Sequence, residues 1–248
     1  ASLRWRVVPE LRLFAAYGRG YRPPEARAFS SFEPAKVGVA EERHTEGSPG
    51  ITASDALELG GRWHPSRYLG MSLAGFATFI KRESVFDHVS GINLELNSTR
   101  RLGAELVLCS DPTGWLSLGA EGTFVDARFV ESGNPVPLAP RLLGGCRAVP
   151  THPEGFRGGL RFLAVAPRTL PHGARGAGLT TLDATLGYHW RWLRIDLEVE
   201  NILNQRLREG EYHYASHWRP EDEPSGLPVL HQAAGPPLNA RLTLGAVL

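Results

Sequence analysis

In EYHYASHW, residues 211–218, His213 and His217 stand four apart beside Tyr212 and Tyr214. On a helix that spacing puts two imidazoles on one face, where they can ligate a transition metal. Two ligands alone make a weak site, and in a loop the same residues serve as polar surface, so no metal site is assigned. The nine histidines are scattered. No motif joins a nucleophile to a base and an orienting group, so the chain does not read as an enzyme and implies no cofactor. A denser set of charges recurs inside apolar runs: Glu58, Arg62, Arg101, Glu105, Glu121, Arg157, Arg161, Asp183, Arg194, Asp196, Glu198, Glu200 and Arg241. The two signs are nearly balanced, which suits cross-strand salt bridges along a wet wall.

The elements that carry these charges are strands. In WRWLRIDLEVENILNQRL, Leu193, Ile195, Leu197 and Val199 alternate with Arg194, Asp196, Glu198 and Glu200. Strict alternation gives a strand one apolar and one polar face. The same period recurs in LELGGRW, RLGAELVL, TLDATLGYHW and LNARLTLGAVL. Helical periodicity is absent, and 28 glycines and 19 prolines suit a turn-rich all-β chain.

The pattern predicts eleven strands, at 2–8, 11–21, 55–64, 68–83, 92–109, 115–131, 138–149, 155–168, 178–190, 192–206 and 237–248. Short connections at 9–10, 65–67, 110–114, 151–154 and around Arg191 alternate with longer ones at 22–54, 84–91, 132–137, 169–177 and 207–236. The fold class expected is therefore an antiparallel up-and-down meander. Short turns at one end, long loops at the other and strands of about ten residues or more match a transmembrane β-barrel. In that reading Leu193 to Val199 face lipid and the charges face a lumen. Trp5, Trp63, Trp190 and Trp192 cluster near the short turns, as amphipathic rings do at a membrane interface; packing in a β core is the plainer alternative. Trp115 also lies near a short turn, but its parity puts it on the polar face unless its strand starts one residue later.

Composition excludes other classes. With 27 Lys+Arg against 26 Asp+Glu in 248 residues, there is no basic stripe for nucleic acid. Two cysteines make no disulfide framework; Cys109 and Cys146 fall on strands separated by a third and are expected as free thiols. The longest apolar runs are far too short for a spanning helix. The chain opens in SLRWRVV with no signal-like segment and reads as a piece of a longer protein. A β-sandwich binding module is a further alternative, although sandwiches favour Greek-key connections over a meander.

Several segments resemble the C-terminal part of a TonB-dependent outer-membrane receptor barrel. LRLFAAYGRGYRPPEARAFSSF is similar to the family's strand that ends in an aromatic-Arg-Pro-Pro segment before an extracellular loop. ALELGGRW is similar to the strand after that loop, and NSTRRLGAELVL with WLSLGAEGTFVDARF to the next hairpin. LRIDLEVENILNQRL resembles the penultimate strand, with Val199, Asn201, Ile202 and Leu203 in place of the family's closing pattern. The resemblance covers essentially the whole chain. It implies half of a 22-stranded barrel, residues 1–248 being a partial barrel domain without plug or N-terminal strands. It further implies a multi-pass protein of a Gram-negative outer membrane, in contact with outer-membrane lipid, its own plug domain and the TonB complex. The expected function is uptake of a scarce small-molecule ligand such as a metal chelate (iron-siderophore or haem), cobalamin or an oligosaccharide. A passive porin is the alternative within transport. The family usually ends in an aromatic residue, where this chain has GAVL.

Three expectations follow from this reading. The charged residues above are the wall that docks the plug. The loops 22–54 and 207–236 supply ligand contacts, with Arg22, Tyr212, His213, Tyr214, His217, Trp218 and Arg219 as candidates and His44, Arg43 and His231 nearby. Strands 2–8 and 237–248 are open edges, because bacterial single-chain barrels have even strand numbers. Pro23 and Pro24 remove two ladder donors and end their strand.

Overall fold

The computed structural model describes residues 1–23, 51–86, 93–95, 97–217, 223 and 226–246. Eleven antiparallel strands form one sheet: β1 (Ser2–Val8), β2 (Leu11–Arg22), β3 (Thr52–Ser66), β4 (Leu69–Lys81), β7 (Thr99–Thr113), β8 (Leu116–Phe129), β9 (Leu142–Pro150), β10 (Phe156–Val165), β11 (Leu179–Trp190), β12 (Leu193–Glu200) and β15 (Asn239–Ala246). Each pairs with the next of these in chain order, so the sheet is a meander without crossovers, and β1 and β15 are its outer strands. The only helical piece among the described residues is a single 3-10 turn, Pro171–Gly173. Among the described residues no helix is long and apolar enough to cross a membrane, which says nothing about strands.

The structure corrects the expected elements where long connections were read as plain loops. The connection after β4 holds a small ribbon of β5 (Ser84–Phe86) and β6 (Asn93–Glu95). The expected strand 92–109 is therefore two elements, and its main-sheet part starts at Thr99. The region 207–236 holds a second ribbon, β13 (Arg208–Ala215) with β14 (Pro228–Ala234). These ribbons pair only with themselves, and a two-residue alternation cannot tell a strand of the main sheet from one that stands apart from it.

Expected boundaries also shift at several strand ends. β12 stops at Glu200 because Asn201 turns left-handed, at φ 52°, a conformation that Asn tolerates. β9 begins at Leu142, after a segment in which Val136 N–H donates to the Ala127 carbonyl and Leu138 has φ 65°. β2 ends at Arg22, next to Pro23. β8 starts at Leu116, which leaves Trp115 in the turn and removes its parity mismatch.

Register defines the two faces. Leu186, Leu197 and Leu242 are consecutive cross-strand partners, as are Gly187, Asp196 and Thr243 one residue along. Following the pairing from strand to strand puts Leu3, Leu13, Leu59, Leu73, Leu106, Phe124, Leu160, Leu186, Leu197 and Leu242 on one face. These side chains are exposed, Leu242 to 63%. A one-layer sheet has no second layer to cover such a face. Few residues are fully buried, and Leu170, Thr99, Asn201 and Glu211 among them lie at or beyond the strand ends next to the long connections. A contiguous exposed apolar face of this extent marks an interaction surface.

Candidate functional site

All thirteen charged residues singled out in the sequence fall on the opposite face. Glu58 lies opposite Phe76, and Arg62 opposite Arg12. Arg101 and Glu105 sit on β7, Glu121 on β8, Arg157 and Arg161 on β10, and Asp183 on β11. Arg194, Asp196, Glu198 and Glu200 alternate along β12, and Arg241 pairs with Glu198 across to β15.

The register also brings Arg4, Arg6, Arg12 and Arg147 to this face. Sequence reasoning passed them over, although Arg4 and Arg6 alternate with Leu3, Trp5 and Val7 in SLRWRVV. Cys109 shares the charged face through Gly119, whereas Cys146 shares the apolar face through Ala120. Both cysteines are free, and opposite faces keep their sulfurs apart.

The charges form short networks. Arg157 reaches over β11 to Asp196, Nη2 to Oδ1 at 2.6 Å, and Arg194 Nε takes the other carboxylate oxygen at 2.6 Å. Gly187 lies between them. A Cβ there would come within 2.5 Å of both Arg157 Nε and Asp196 Oδ1, so a side chain would block the pair. Arg241 pairs with Glu198. Arg101 pairs with Glu83, whose other oxygen accepts from Thr99. Asp183 plays a different part. It accepts from the backbone N–H of Asn201 at 2.9 Å and so caps the end of β12. Asn201 donates through Nδ2 to the carbonyls of Gln205 and Pro236, and its Oδ1 accepts from Gln205 N–H.

Above that cap, the β13–β14 ribbon is pinned to the segment after β10. Glu211, 1% exposed, accepts from Arg208 Nη1 at 3.0 Å and from Ala177 N–H at 3.2 Å, with Arg168 Nη2 at 3.6 Å. Its close approach to the backbone requires Gly176, where a Cβ would meet Oε2 at 2.7 Å. His213 lies on the same ribbon face. Its Nδ1 sits 3.0 Å from the Pro171 carbonyl, which can only accept, so Nδ1 carries the proton. Tyr212 and Tyr214 lie on the other ribbon face with His231, whose ring stacks on Tyr214 at 4.0 Å. The helical i, i+4 spacing considered for His213 and His217 does not arise: β13 is a strand that ends at Ala215, with His217 beyond it. Among the described residues no group of three metal-ligating side chains gathers. Arg22 ends β2 on the charged-face side, opposite Thr52. Trp218, Arg219, Arg43 and His44 lie outside the described residues.

At the short-turn end, Trp5, Trp63 and Trp190 project from the apolar face and Trp192 from the β11–β12 turn. All four are exposed.

The fold recurs in solved receptors. The ferric yersiniabactin uptake receptor FyuA from Yersinia pestis superposes with a TM-score of 0.70 at 18% identity, over 100% of this chain and 37% of its own. The ferric-catecholate import receptor Fiu from E. coli K12 gives 0.69 at 17% identity, over 99% of this chain and 34% of its own. The copper transporter OprC gives 0.69 at 15% identity, over 99% and 39%. The chain thus spans just over a third of the length of these structures. No curated protein matches it by sequence. The family model for the TonB dependent receptor-like β-barrel matches residues 1–202. An eleven-strand meander with one apolar and one charged face, matched by that model over most of its length, belongs to the TonB-dependent receptor β-barrel family.

Proposed function

We propose that residues 1–248 are one part of the barrel domain of an outer-membrane receptor that imports a scarce ligand with TonB-coupled energy. The observation that carries this reading is the two-faced sheet in a chain of this receptor family. The apolar face meets lipid, and the charged face lines the barrel interior and docks a plug domain. The ligand class is a metal chelate such as an iron-siderophore, since two of the similar structures are named for ferric uptake and a third for copper. The short-turn end with Trp5, Trp63, Trp190 and Trp192 lies at the periplasmic interface, and the long connections face outward.

Ligand contacts come from the outward connections, where loops on a rigid scaffold usually carry binding residues. Glu211 pins its ribbon, so replacing 211–219 as a block would unfold the region as well as remove contacts. The test therefore uses the full-length receptor with His213→Ala, His217→Ala and Trp218→Ala combined. Uptake of a labelled ferric siderophore should fall while surface expression is kept. Parental uptake by the triple variant removes this segment from the ligand site. Uptake that persists when TonB is absent defeats the energised reading and favours a passive pore.

A further inference from the structure

Two of the outward connections meet at a pair of imidazoles. The segment after β10 doubles back on itself: Gly176 N–H donates to the Arg168 carbonyl and Leu170 N–H to the Ala174 carbonyl, each at 2.8 Å. Its tip is the 3-10 turn Pro171–Gly173, anchored by the buried Leu170. His172 stands at that tip, exposed and left-handed at φ 56°. Residues in sparsely populated backbone regions gather at binding sites. The face of β13 that carries Glu211 and His213 packs against this segment. There the rings of His172 and His213 lie 6.3 Å apart between centroids, tilted by 58°.

The nitrogens of both rings are available for a ligand. His213 Nδ1 donates to the Pro171 carbonyl, so Nε2 keeps its lone pair, and Nε2 has no hydrogen-bond partner among the described residues. A backbone carbonyl accepting from the other ring nitrogen is what orients a metal-ligating histidine. Neither nitrogen of His172 has a partner among the described residues. With metal–nitrogen bonds of about 2.0–2.1 Å, two imidazoles on one metal have centroids roughly 4.5–6.5 Å apart, according to the N–metal–N angle. The observed separation falls in that range. The ribbon is held to the tip because Glu211 ties it to Arg168 and to Ala177 N–H. No third metal-ligating side chain joins the pair among the described residues.

We infer that His172 and His213 coordinate a divalent transition metal that arrives already held by a chelator with two vacant positions. Two imidazoles alone hold a bare ion weakly, but they complete a metal whose other positions are filled. Imidazole suits nickel, copper and zinc. The inference rests on the reading that the receptor imports a metal chelate, and it narrows that reading to chelates that leave the metal unsaturated.

The test titrates the untagged full-length receptor in detergent with nickel(II) nitrilotriacetate, which leaves two positions on the metal to water. Asparagine replaces each histidine: at 172 it tolerates a left-handed backbone, and at 213 its amide can still donate to the Pro171 carbonyl. His172→Asn and His213→Asn should each weaken binding roughly a hundredfold, as when a two-point attachment becomes one-point. Each should also abolish the shift in nickel d–d absorption that the wild type produces. His152→Ala with His189→Ala, at the short-turn end, should bind like the wild type. Nickel(II) ethylenediaminetetraacetate, which leaves no position vacant, should not bind. Wild-type affinity in His172→Asn, or equal binding of the two chelates, overturns the site. Import is read separately, as uptake of the nitrilotriacetate complex by cells with and without TonB. Uptake that needs TonB but binding that is unchanged in both asparagine variants overturns the site and keeps the import reading. Binding lost in both variants while wild-type uptake ignores TonB supports the site and overturns the energised reading.

Discussion

Leu197 and Glu198 are neighbours in the chain and face opposite surroundings. Leu197 lies between Leu186 and Leu242 in an exposed apolar row, and Glu198 pairs with Arg241 on the charged face. A charge on a lipid-facing strand costs about 2–4 kcal/mol for Arg near the bilayer midplane and little on the other side. In the full-length receptor, Leu197→Arg should sharply lower the yield of folded, heat-modifiable protein in the outer membrane. Glu198→Gln should assemble at the parental level, because its ion pair is solvent-exposed and contributes little. Equal defects in gel mobility for the two would mean that the faces are exchanged.

At the scale of elements, the ribbon β13–β14 and the end of β12 depend on two small polar clusters rather than on an apolar core. Gly176→Ala forces the backbone away from Glu211 or Glu211 away from its arginines. Breaking a buried charge pair costs about 3–5 kcal/mol, much of it local here. Hydrogen exchange should show loss of protection in Arg208–Ala215 with the main sheet unchanged; intact protection would show that the ribbon is held by something else. Asn201→Ala removes three side-chain hydrogen bonds at a left-handed position. It should fray the 201–207 turn and speed proteolysis there, with Asn201→Gly milder only in the backbone contribution. Equal proteolysis of wild type and Asn201→Ala would show that this network does not hold the turn.

For the whole molecule, the decisive feature is that β1 and β15 each have a single neighbour in the sheet. An unpaired edge presents a row of backbone donors and acceptors, and in a bilayer each unsatisfied group costs several kcal/mol. The 248-residue chain on its own should therefore aggregate or misfold in detergent, and co-expression of the remaining receptor strands should rescue it. Recovery of the isolated chain as a heat-resistant, detergent-soluble monomer, seen by unheated gel mobility and light scattering, would contradict this.

The sequence alone determined that the chain is a meander, how many main strands it has and which side chains share a face. A two-residue period needs only local chemistry, and short turns force antiparallel neighbours. LRIDLEVE could be sorted into its two faces by alternation, and the Cα partners observed for Leu197 and Glu198 follow the same division. Tertiary structure decided what depends on residues distant in the chain. The separate ribbon of Tyr212, His213 and Tyr214 was illegible because a strand in a loop alternates like any other. Nothing in the sequence singles out Glu211, since only folding brings Arg168, Arg208 and Gly176 around it. The passage of Arg157 to Asp196 over Gly187 joins three strands, and no pattern within one strand encodes it.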